Sequence, residues 1–282
     1  MSFLEIKSNA KINFSLNIIK KLKNKFHKIE SLISIIDLHD IIYIKKIKKN
    51  KHQVKFFGKF SKGIKNDNTV KKLLEILDKN KLLRGNKYLI KVKKNIPQKS
   101  GMGGGSMNAA SILNYLFKRK IIKINSWELK KIARLIGSDV EIGINNNTNV
   151  YKSNIYLIKK IKNIKLFLII AIPKFGCSTA KVYKSTKLYS RSYLNMNINK
   201  KFKLLDLINL KNDLEKSAMS IYPSLNILKN NLQILPKVKF VRMTGSGSAY
   251  VAYFLSKKDV TKAYKIFRKK HKNYWSIVSK TI

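Results

Sequence analysis

The spacing of hydrophobic and polar residues predicts alternating strands and helices in the first half of the chain. Short apolar or alternating segments are typical of strands at residues 3–7, 11–18, 29–37, 41–47, 52–57 and 88–93. Apolar residues at helical spacing predict helices at 69–78, 106–117 and 126–136. We expect Asn68 or Asp67 to cap the first helix, Ser126 to cap the third, and Gly137 to end it.

The second half continues with the same two kinds of pattern. Strands are predicted at 166–172, 239–243 and 249–255, and helices near 178–186, 204–218, 224–234 and 258–270. The polar stretch 145–149 predicts a boundary between a domain of residues 1–152 and a domain of residues 153–282. Because strands and helices are mixed without a regular βαβ period, the pattern predicts an α+β fold.

The apolar segments are too short to cross a membrane. The longest run, residues 166–173, falls far below the roughly 18 residues that a spanning helix needs. The chain opens directly on a strand-like pattern without a signal-peptide core, so we expect a cytoplasmic protein. A single cysteine, Cys177, excludes a disulfide or a cysteine-based zinc cluster within one chain.

The charge of the chain is extreme, with 61 Lys and Arg against 14 Asp and Glu, a formal net charge of +47. The electric field of so many positive charges attracts polyanions, so one interpretation is that the chain is a basic nucleic-acid-binding protein. Only six of the basic residues are Arg, the side chain that reads phosphate and guanine with two donors. Lys, Asn and Ile, which have AT-rich codons, are spread along the chain, so we attribute the charge to composition and expect no specific nucleic-acid partner.

One segment concentrates the glycines. Four of the 12 glycines fall within residues 101–105, after a predicted strand and before a predicted helix. Glycines let successive amides turn towards an anion, and a helix N-terminus adds its dipole, so the segment predicts a phosphate cradle. A flexible hinge is the alternative, and the spacing matches neither the P-loop nor the dinucleotide-binding motif. The predicted nucleotide-binding residues are Pro97, Gln98, Lys99, Ser100, Gly101, Met102, Gly103, Gly104, Gly105, Ser106 and Met107.

The sequence from Pro97 through Gly101-Met102-Gly103-Gly104-Gly105-Ser106 to Ala110 resembles the second signature of the GHMP small-molecule kinases. Five further segments resemble motifs of this family and occur in its order: residues 9–13, 26–40, 137–140, 212–215 and 243–249. The resemblance implies a two-domain GHMP-kinase-like fold with its active site in the interdomain cleft. It also implies ATP and Mg²⁺ as cofactors, and an acceptor that is a cytidine diphosphate-linked sugar alcohol of isoprenoid precursor synthesis.

The resemblance also implies roles for individual residues. Asp139 would be the general base, and Lys11 would stabilise charge beside it. Asn68 would lie near the adenine. The acceptor would be bound by Asn13, Phe26, His27, Tyr183 and Thr244. No metal ligand is assigned, and a related kinase acting on homoserine or mevalonate is the alternative within the family.

The sequence departs from the family pattern at three places near these residues. Lys25 replaces a glycine, and Phe26 replaces a tyrosine but keeps a face for stacking. Glu141 stands where the family has a proline, two positions after Asp139. We expect these departures to affect the rate of the reaction more than its type.

Overall fold

The structure is a computed structural model that describes residues 2–22, 27–145, 149–152, 157–160, 165–187, 189–192 and 202–282. Its strands are β1 (Leu4–Lys21), β2 (His27–Ile47), β3 (Gln53–Phe57), β4 (Lys87–Lys93), β5 (Asn149–Lys152), β6 (Leu157–Lys160), β7 (Phe167–Ile172), β8 (Phe240–Met243), β9 (Tyr250–Phe254) and β10 (Trp275–Lys280). Its helices are α1 (Thr69–Lys79), α2 (Gly104–Lys118), α3 (Ser126–Ile136), α4 (Ser138–Asn145), α5 (Thr179–Ser185), α6 (Leu204–Asn209), α7 (Leu214–Ile221), α8 (Ser224–Gln233) and α9 (Lys257–Lys270).

The chain folds into two compact units. The first unit comprises Met1–Ala10, Leu38–Pro97 and Gly103–Asn146, and the second comprises Lys11–Asp37, Gln98–Met102 and Asn147–Ile282. The strands β1 and β2 therefore each give residues to both units, and the glycine segment divides after Met102. The predicted domain boundary at residue 152 stays a prediction.

The first unit packs helices against one face of its strands. The end of β2 pairs antiparallel with β4, with Ile44 opposite Ile90, and β3 pairs parallel with β4. Amphipathic helices bury their apolar stripes here, since burial rather than intrinsic propensity stabilises most short helices in proteins. The core of this unit includes Ile42, Ile90, Leu73, Leu77, Ile112, Leu116 and Ile132.

The second unit is built around an antiparallel sheet. Its strands lie in the order β10-β7-β9-β8, with Ile170 of the central β7 opposite both Ile277 and Val251. The start of β2 pairs with β5, which pairs with β6, in the same unit. The helices α8 and α9 bury Leu228 and Phe267 in the core of this unit. The mixture of helices and strands confirms the predicted α+β class.

Several predicted elements differ in extent from the structure. The pairs of strands predicted at 3–18 and 29–47 are two continuous strands of 18 and 21 residues. Polar residues suggested breaks in both, but Ser8 and Asp40 are buried within the strands. The single helix predicted at 204–218 was wrong, because Asn212 and Asp213 separate α6 from α7 with side-chain bonds to Leu214 N and Ile18 N.

Local capping explains where several helices begin. Asn68, one of the two residues predicted to cap α1, is the cap and accepts a hydrogen bond from Lys71 N. The predicted cap Ser126 was wrong, since Asn125 caps α3 and forms a capping box with Glu128. The elements α4, β5, β6 and β10 were not predicted. No helix of the described residues is long and apolar enough to cross a membrane.

Candidate active site

The first part of the glycine segment, Gln98–Met102, packs on a loop of the second unit that we call the closing loop, residues 244–248. Ser248 N and Ala249 N donate to the carbonyls of Lys99 and Ser100 at 3.3 and 3.2 Å. Gly101 has φ +77°, and a Cβ there would lie 2.0 Å from Thr244 O. Gly245 has φ +55°, and its Cβ would lie 2.8 Å from Gly101 O. Only glycine fits this contact between two backbones.

The second part of the glycine segment begins α2 in the first unit. Gly103 precedes the helix in the left-handed conformation and has no side chain with which to cap it. The first amides of a helix have no intrahelical acceptor, so this end of α2 offers donors to an anion. Thr69 Oγ1 donates to Gly105 O at 2.7 Å, which fixes the start of α2 against the start of α1.

A buried ion pair lies beside the same helix start. Lys94 and Asp40 are 3% and 0% exposed and form a salt bridge. The Asp40 carboxylate also accepts from Asn95 N and Ile96 N at 2.7 and 2.9 Å, so it shapes the turn after β4. A Cβ on Gly104 would lie 3.3 Å from Lys94 Nζ. No pattern in the sequence distinguishes Lys94 from the many other lysines.

Burial of Lys94 changes the pKa of its ammonium group. Desolvation lowers the pKa of Lys94, although the Asp40 carboxylate opposes the shift by stabilising the ammonium. The ammonium and the Asp40 carboxylate together carry no net charge, so the pair fixes the chain beside the start of α2. The group that favours an anion here is the N-terminus of α2 itself.

In the second unit, Lys11 and Asn13 form a cluster with the closing loop, which we call the Asn13 cluster. Lys11 N donates to Met102 O at 3.2 Å, so this lysine lies directly against the glycine segment. Asn13 Oδ1 accepts from Lys11 Nζ at 3.0 Å, Gly245 N at 3.0 Å and Thr244 Oγ1 at 3.2 Å. The structure therefore brings together three predicted site residues, Lys11, Asn13 and Thr244.

Further contacts fix the orientation of Asn13 itself. Its backbone N donates to Thr244 Oγ1 at 3.0 Å. Its Nδ2 donates to Ser31 Oγ at 2.7 Å, and Ser31 in turn donates to Ser15 O at 2.5 Å. Lys11 and Asn13 are 5% and 2% exposed, so these contacts form in a largely dry environment where misplaced polar groups are costly.

The predicted acceptor-binding pair His27 and Tyr183 also comes together in the second unit. Their ring centroids lie 5.2 Å apart with an interplanar angle of 39°. Desolvation, and then the charge of Lys21, lowers the pKa of His27 and so favours the neutral imidazole, which can both donate and accept a hydrogen bond. Phe26, the third predicted aromatic contact, lies outside the described residues.

Asp139 lies in the first turn of α4 in the first unit. An acidic side chain suits this position because it compensates the helix dipole. Glu141, which is 2% exposed, pairs with Arg134 Nη2 of α3 at 2.6 Å. This pair ties α4 to α3 at the position where the family pattern has proline. Asp139 and Lys11 belong to different units, and their pairing stays a prediction.

The remaining predicted nucleotide-binding residues occupy ordinary structural positions. Asn68 is the α1 cap, and its Nδ2 donates to the carbonyls of Lys65 and Asn66, both at 3.1 Å. Met102 and Met107 are buried, whereas Gln98 and Lys99 are exposed. The contact of Asn68 with adenine stays a prediction.

Comparison with known proteins defines the class. The family model described as the GHMP kinases N terminal domain matches residues 68–153, which hold Gly103–Ser106 and Asp139. A crystal structure of a 4-(cytidine 5'-diphospho)-2C-methyl-D-erythritol kinase aligns with a TM-score of 0.79 at 19% identity, covering 99% of this chain and 100% of that chain. A homoserine kinase from Cytophaga hutchinsonii aligns with a TM-score of 0.68 at 16% identity, covering 100% and 97%. The fold is that of the GHMP kinases.

Full-length relatives define the family within this class. A 4-diphosphocytidyl-2-C-methyl-D-erythritol kinase of Pelagibacter ubique is 50% identical over 283 residues and covers 100% of both chains. A relative with the same description from Clostridium botulinum is 32% identical over 289 residues, covering 98% of this chain and 99% of its own. The chain belongs to the 4-diphosphocytidyl-2-C-methyl-D-erythritol kinase family.

Proposed function

We propose that this chain transfers the γ-phosphoryl group of ATP to the 2-hydroxyl of 4-diphosphocytidyl-2-C-methyl-D-erythritol, a step of the non-mevalonate route to isoprenoid precursors. Family membership supports an ATP-dependent small-molecule kinase, and the descriptions of the two relatives support this acceptor. We also propose that the reaction takes place in the cytoplasm.

The observation that carries the proposal is the fixed Lys11 ammonium at the glycine segment. Its backbone amide bonds Met102 O, and its Nζ bonds Asn13 Oδ1, so both ends of this residue are held. Phosphoryl transfer passes through a loose transition state, and catalysis depends mainly on positioning and on neutralising charge. A rigidly held ammonium beside a phosphate-binding loop serves both purposes.

Asp139 is the proposed general base. The role requires a carboxylate held in one orientation, and the first turn of α4 together with the Arg134–Glu141 pair supplies a fixed support. In this role Asp139 orients the acceptor hydroxyl and receives its proton as the new oxygen–phosphorus bond forms and the bond from the γ-phosphorus to the oxygen that leaves with ADP breaks.

The proposed acceptor site uses His27 and Tyr183, with Phe26 as a further stacking face. A cytosine needs an aromatic face and a hydrogen-bonding edge, and the contact of these two rings supplies one of each kind of group. A neutral imidazole presents one donor and one acceptor, which matches the mixed edge of cytosine.

ATP would be bound by the amides at the start of α2, beside the buried Lys94–Asp40 pair. We propose Mg²⁺ as the accompanying ion, which neutralises phosphate charge when bound. Within the part of the chain that the structure describes, no group of three or more His, Cys, Asp or Glu side chains is placed to hold a metal. Mg²⁺ usually keeps several waters and binds the phosphates of its nucleotide, so the proposal assigns no protein ligand to the ion.

The test is ADP release with the proposed acceptor, measured for the wild type, Asp139→Asn and Lys11→Met. We expect kcat to fall about 100- to 10,000-fold in both variants. Asp259→Asn, the same chemical change in the first turn of α9, is the matched control and should keep wild-type kcat. Turnover of homoserine or mevalonate by the wild type, without turnover of the cytidine substrate, would contradict the proposal.

A further inference from the structure

The segment Asn212-Asp213-Leu214-Glu215, which resembles a family motif, lies between α6 and α7 and begins α7. In the structure Asn212 is 6% exposed and its side chain uses both its amide nitrogen and its amide oxygen on backbone groups. Its Nδ2 donates to Met243 O at 2.9 Å and to Gly245 O at 2.8 Å. Its Oδ1 accepts from Leu214 N at 3.0 Å. The Asn212 amide therefore forms hydrogen bonds with the backbone on both sides of Thr244.

The backbone around Asn212 is itself attached to β1. Leu16 N donates to Lys211 O at 3.0 Å, and Asp213 N donates to Leu16 O at 2.8 Å. Asp213 Oδ2 accepts from Ile18 N at 2.8 Å. These hydrogen bonds attach residues 211–213 to β1, the strand that carries Lys11 and Asn13. From this position the Asn212 side chain reaches the closing loop.

The residues that Asn212 holds are those that fix the Asn13 cluster. Thr244 Oγ1 and Gly245 N both bond Asn13 Oδ1, and that oxygen bonds Lys11 Nζ. A displacement of the turn at Thr244 and Gly245 would remove two of these bonds together. Displacements of about 1 Å in a supporting contact are enough to lower catalytic efficiency.

We propose that Asn212 is a positioning residue whose amide fixes the Thr244–Gly245 turn and, through Asn13, the Lys11 ammonium. It contacts neither reactant and acts only through these residues. The inference rests on the proposed function, since it gives Lys11 a part in phosphoryl transfer.

Asparagine is the residue type that this position requires. The two N–H donors of the Asn212 amide face Met243 O and Gly245 O, and its oxygen faces Leu214 N. Among side chains of this length, only an amide supplies two donors and one acceptor together. The substitution Asn212→Asp would turn a carboxylate oxygen towards Met243 O and Gly245 O, yet it would keep the acceptor for Leu214 N. Asn212→Asp therefore disturbs the closing loop while preserving the start of α7.

The first experiment is a kinetic cycle with Asn212→Asp, Lys11→Met and the double variant, measured under single turnover with enzyme in excess. We expect Asn212→Asp to lower the maximal rate constant about 10- to 100-fold, with less than about threefold change in the ATP concentration that gives half of it. In the Lys11→Met background it should change the rate less than about twofold, because the group it positions is absent. Equal effects in both backgrounds would overturn the proposal.

A matched control separates positioning from loss of stability. Phe267→Leu reduces packing in α9 of the same unit without touching the closing loop, and it should lower the melting temperature while leaving the rate unchanged. If its rate falls as far as that of Asn212→Asp at equal melting temperature, the role of Asn212 is only structural. Should Asn212→Asp fail to fold, the neutral Asn212→Ser, which also lacks both amide donors, replaces it in the cycle.

Hydrogen exchange provides a readout that does not depend on the acceptor. In Asn212→Asp we expect faster exchange at the Gly245 amide, which bonds Asn13, and unchanged protection of the Ile18 amide, which bonds Asp213. Unchanged exchange at Gly245 would refute the positioning role. A wild type inactive on the cytidine substrate, with faster Gly245 exchange in the variant, would refute the proposed function and leave the link between Asn212 and the turn intact.

Discussion

The two units hold their parts of the candidate site by different kinds of interaction. In the first unit, charged pairs support the glycine segment and α4: Lys94 with Asp40, and Arg134 with Glu141. In the second unit, the Asn13 cluster is held by amides, hydroxyls and the close contact of Gly101 with Gly245. Removing one partner of a buried ion pair leaves an uncompensated charge, whereas removing one amide or hydroxyl of the Asn13 cluster leaves an unsatisfied hydrogen-bonding group. The difference predicts distinct responses to substitution.

The largest expected effect is the loss of Asp40. Asp40→Asn leaves the Lys94 ammonium buried without its carboxylate, and breaking such a pair costs about 3 to 5 kcal/mol. We expect urea unfolding to show this decrease in the free energy of unfolding. The double variant Asp40→Asn with Lys94→Met should recover much of the loss, because it removes the unpaired charge. A single variant as stable as the wild type would contradict the importance of this pair.

The next effect tests the contact between glycines in the second unit. Gly101→Ala places a Cβ 2.0 Å from Thr244 O at φ +77°, and we expect a loss of about 3 kcal/mol together with most of the activity. Gly85→Ala is the matched control, because its φ is +76° and nothing lies within 4 Å of the added Cβ. It should cost only the roughly 1 kcal/mol of the left-handed conformation. Equal losses would show that backbone strain, and not the contact, determines the effect.

Local sequence patterns predicted helices such as α1, α3 and α9 because the determining signals lie within a few residues. The bounds of α3 and the Asn68 cap follow from helical periodicity and capping side chains. The Asn13 cluster joins Asn13 to Gly245 across 232 positions, and no local rule encodes such a contact. Family resemblance named Lys11, Asn13 and Thr244 as candidate site residues, but it did not predict that Asn13 Oδ1 joins them.

The residues that sequence reasoning missed share one property. Lys94 and Arg134 are unremarkable in a chain with 61 basic residues, and they acquire a role only through a buried acidic partner. Because the chain has only 14 acidic residues, a buried carboxylate is a rarer signal in this sequence than a buried lysine. The position of Asp40 inside β2 was itself obscured, because it was interpreted as a break between strands.

A smaller effect is expected at the second ion pair. Arg134→Met leaves the buried Glu141 without this cation, but the Arg134 side chain is 35% exposed, so solvent already weakens the pair. We expect a loss of about 1 to 2 kcal/mol in urea unfolding and a decrease in kcat, since α4 carries Asp139. Arg134→Met combined with Glu141→Gln should restore stability. If Arg134→Met alone is as stable as the wild type, the pair does not anchor α4.

The smallest expected effect concerns His27. Its folded pKa lies below 6.5 because of desolvation and the charge of Lys21, so the unfolded chain binds this proton more readily. The stability contribution of His27 is therefore unchanged at high pH and becomes unfavourable as the pH falls from about 6.5 through the folded pKa. An NMR titration of the imidazole should give a midpoint below 6.5, and Lys21→Gln should raise it. A midpoint above 6.5 would mean that the ring is less desolvated than its contact with Tyr183 indicates. A midpoint unchanged by Lys21→Gln would mean that the Lys21 charge does not act on this ring.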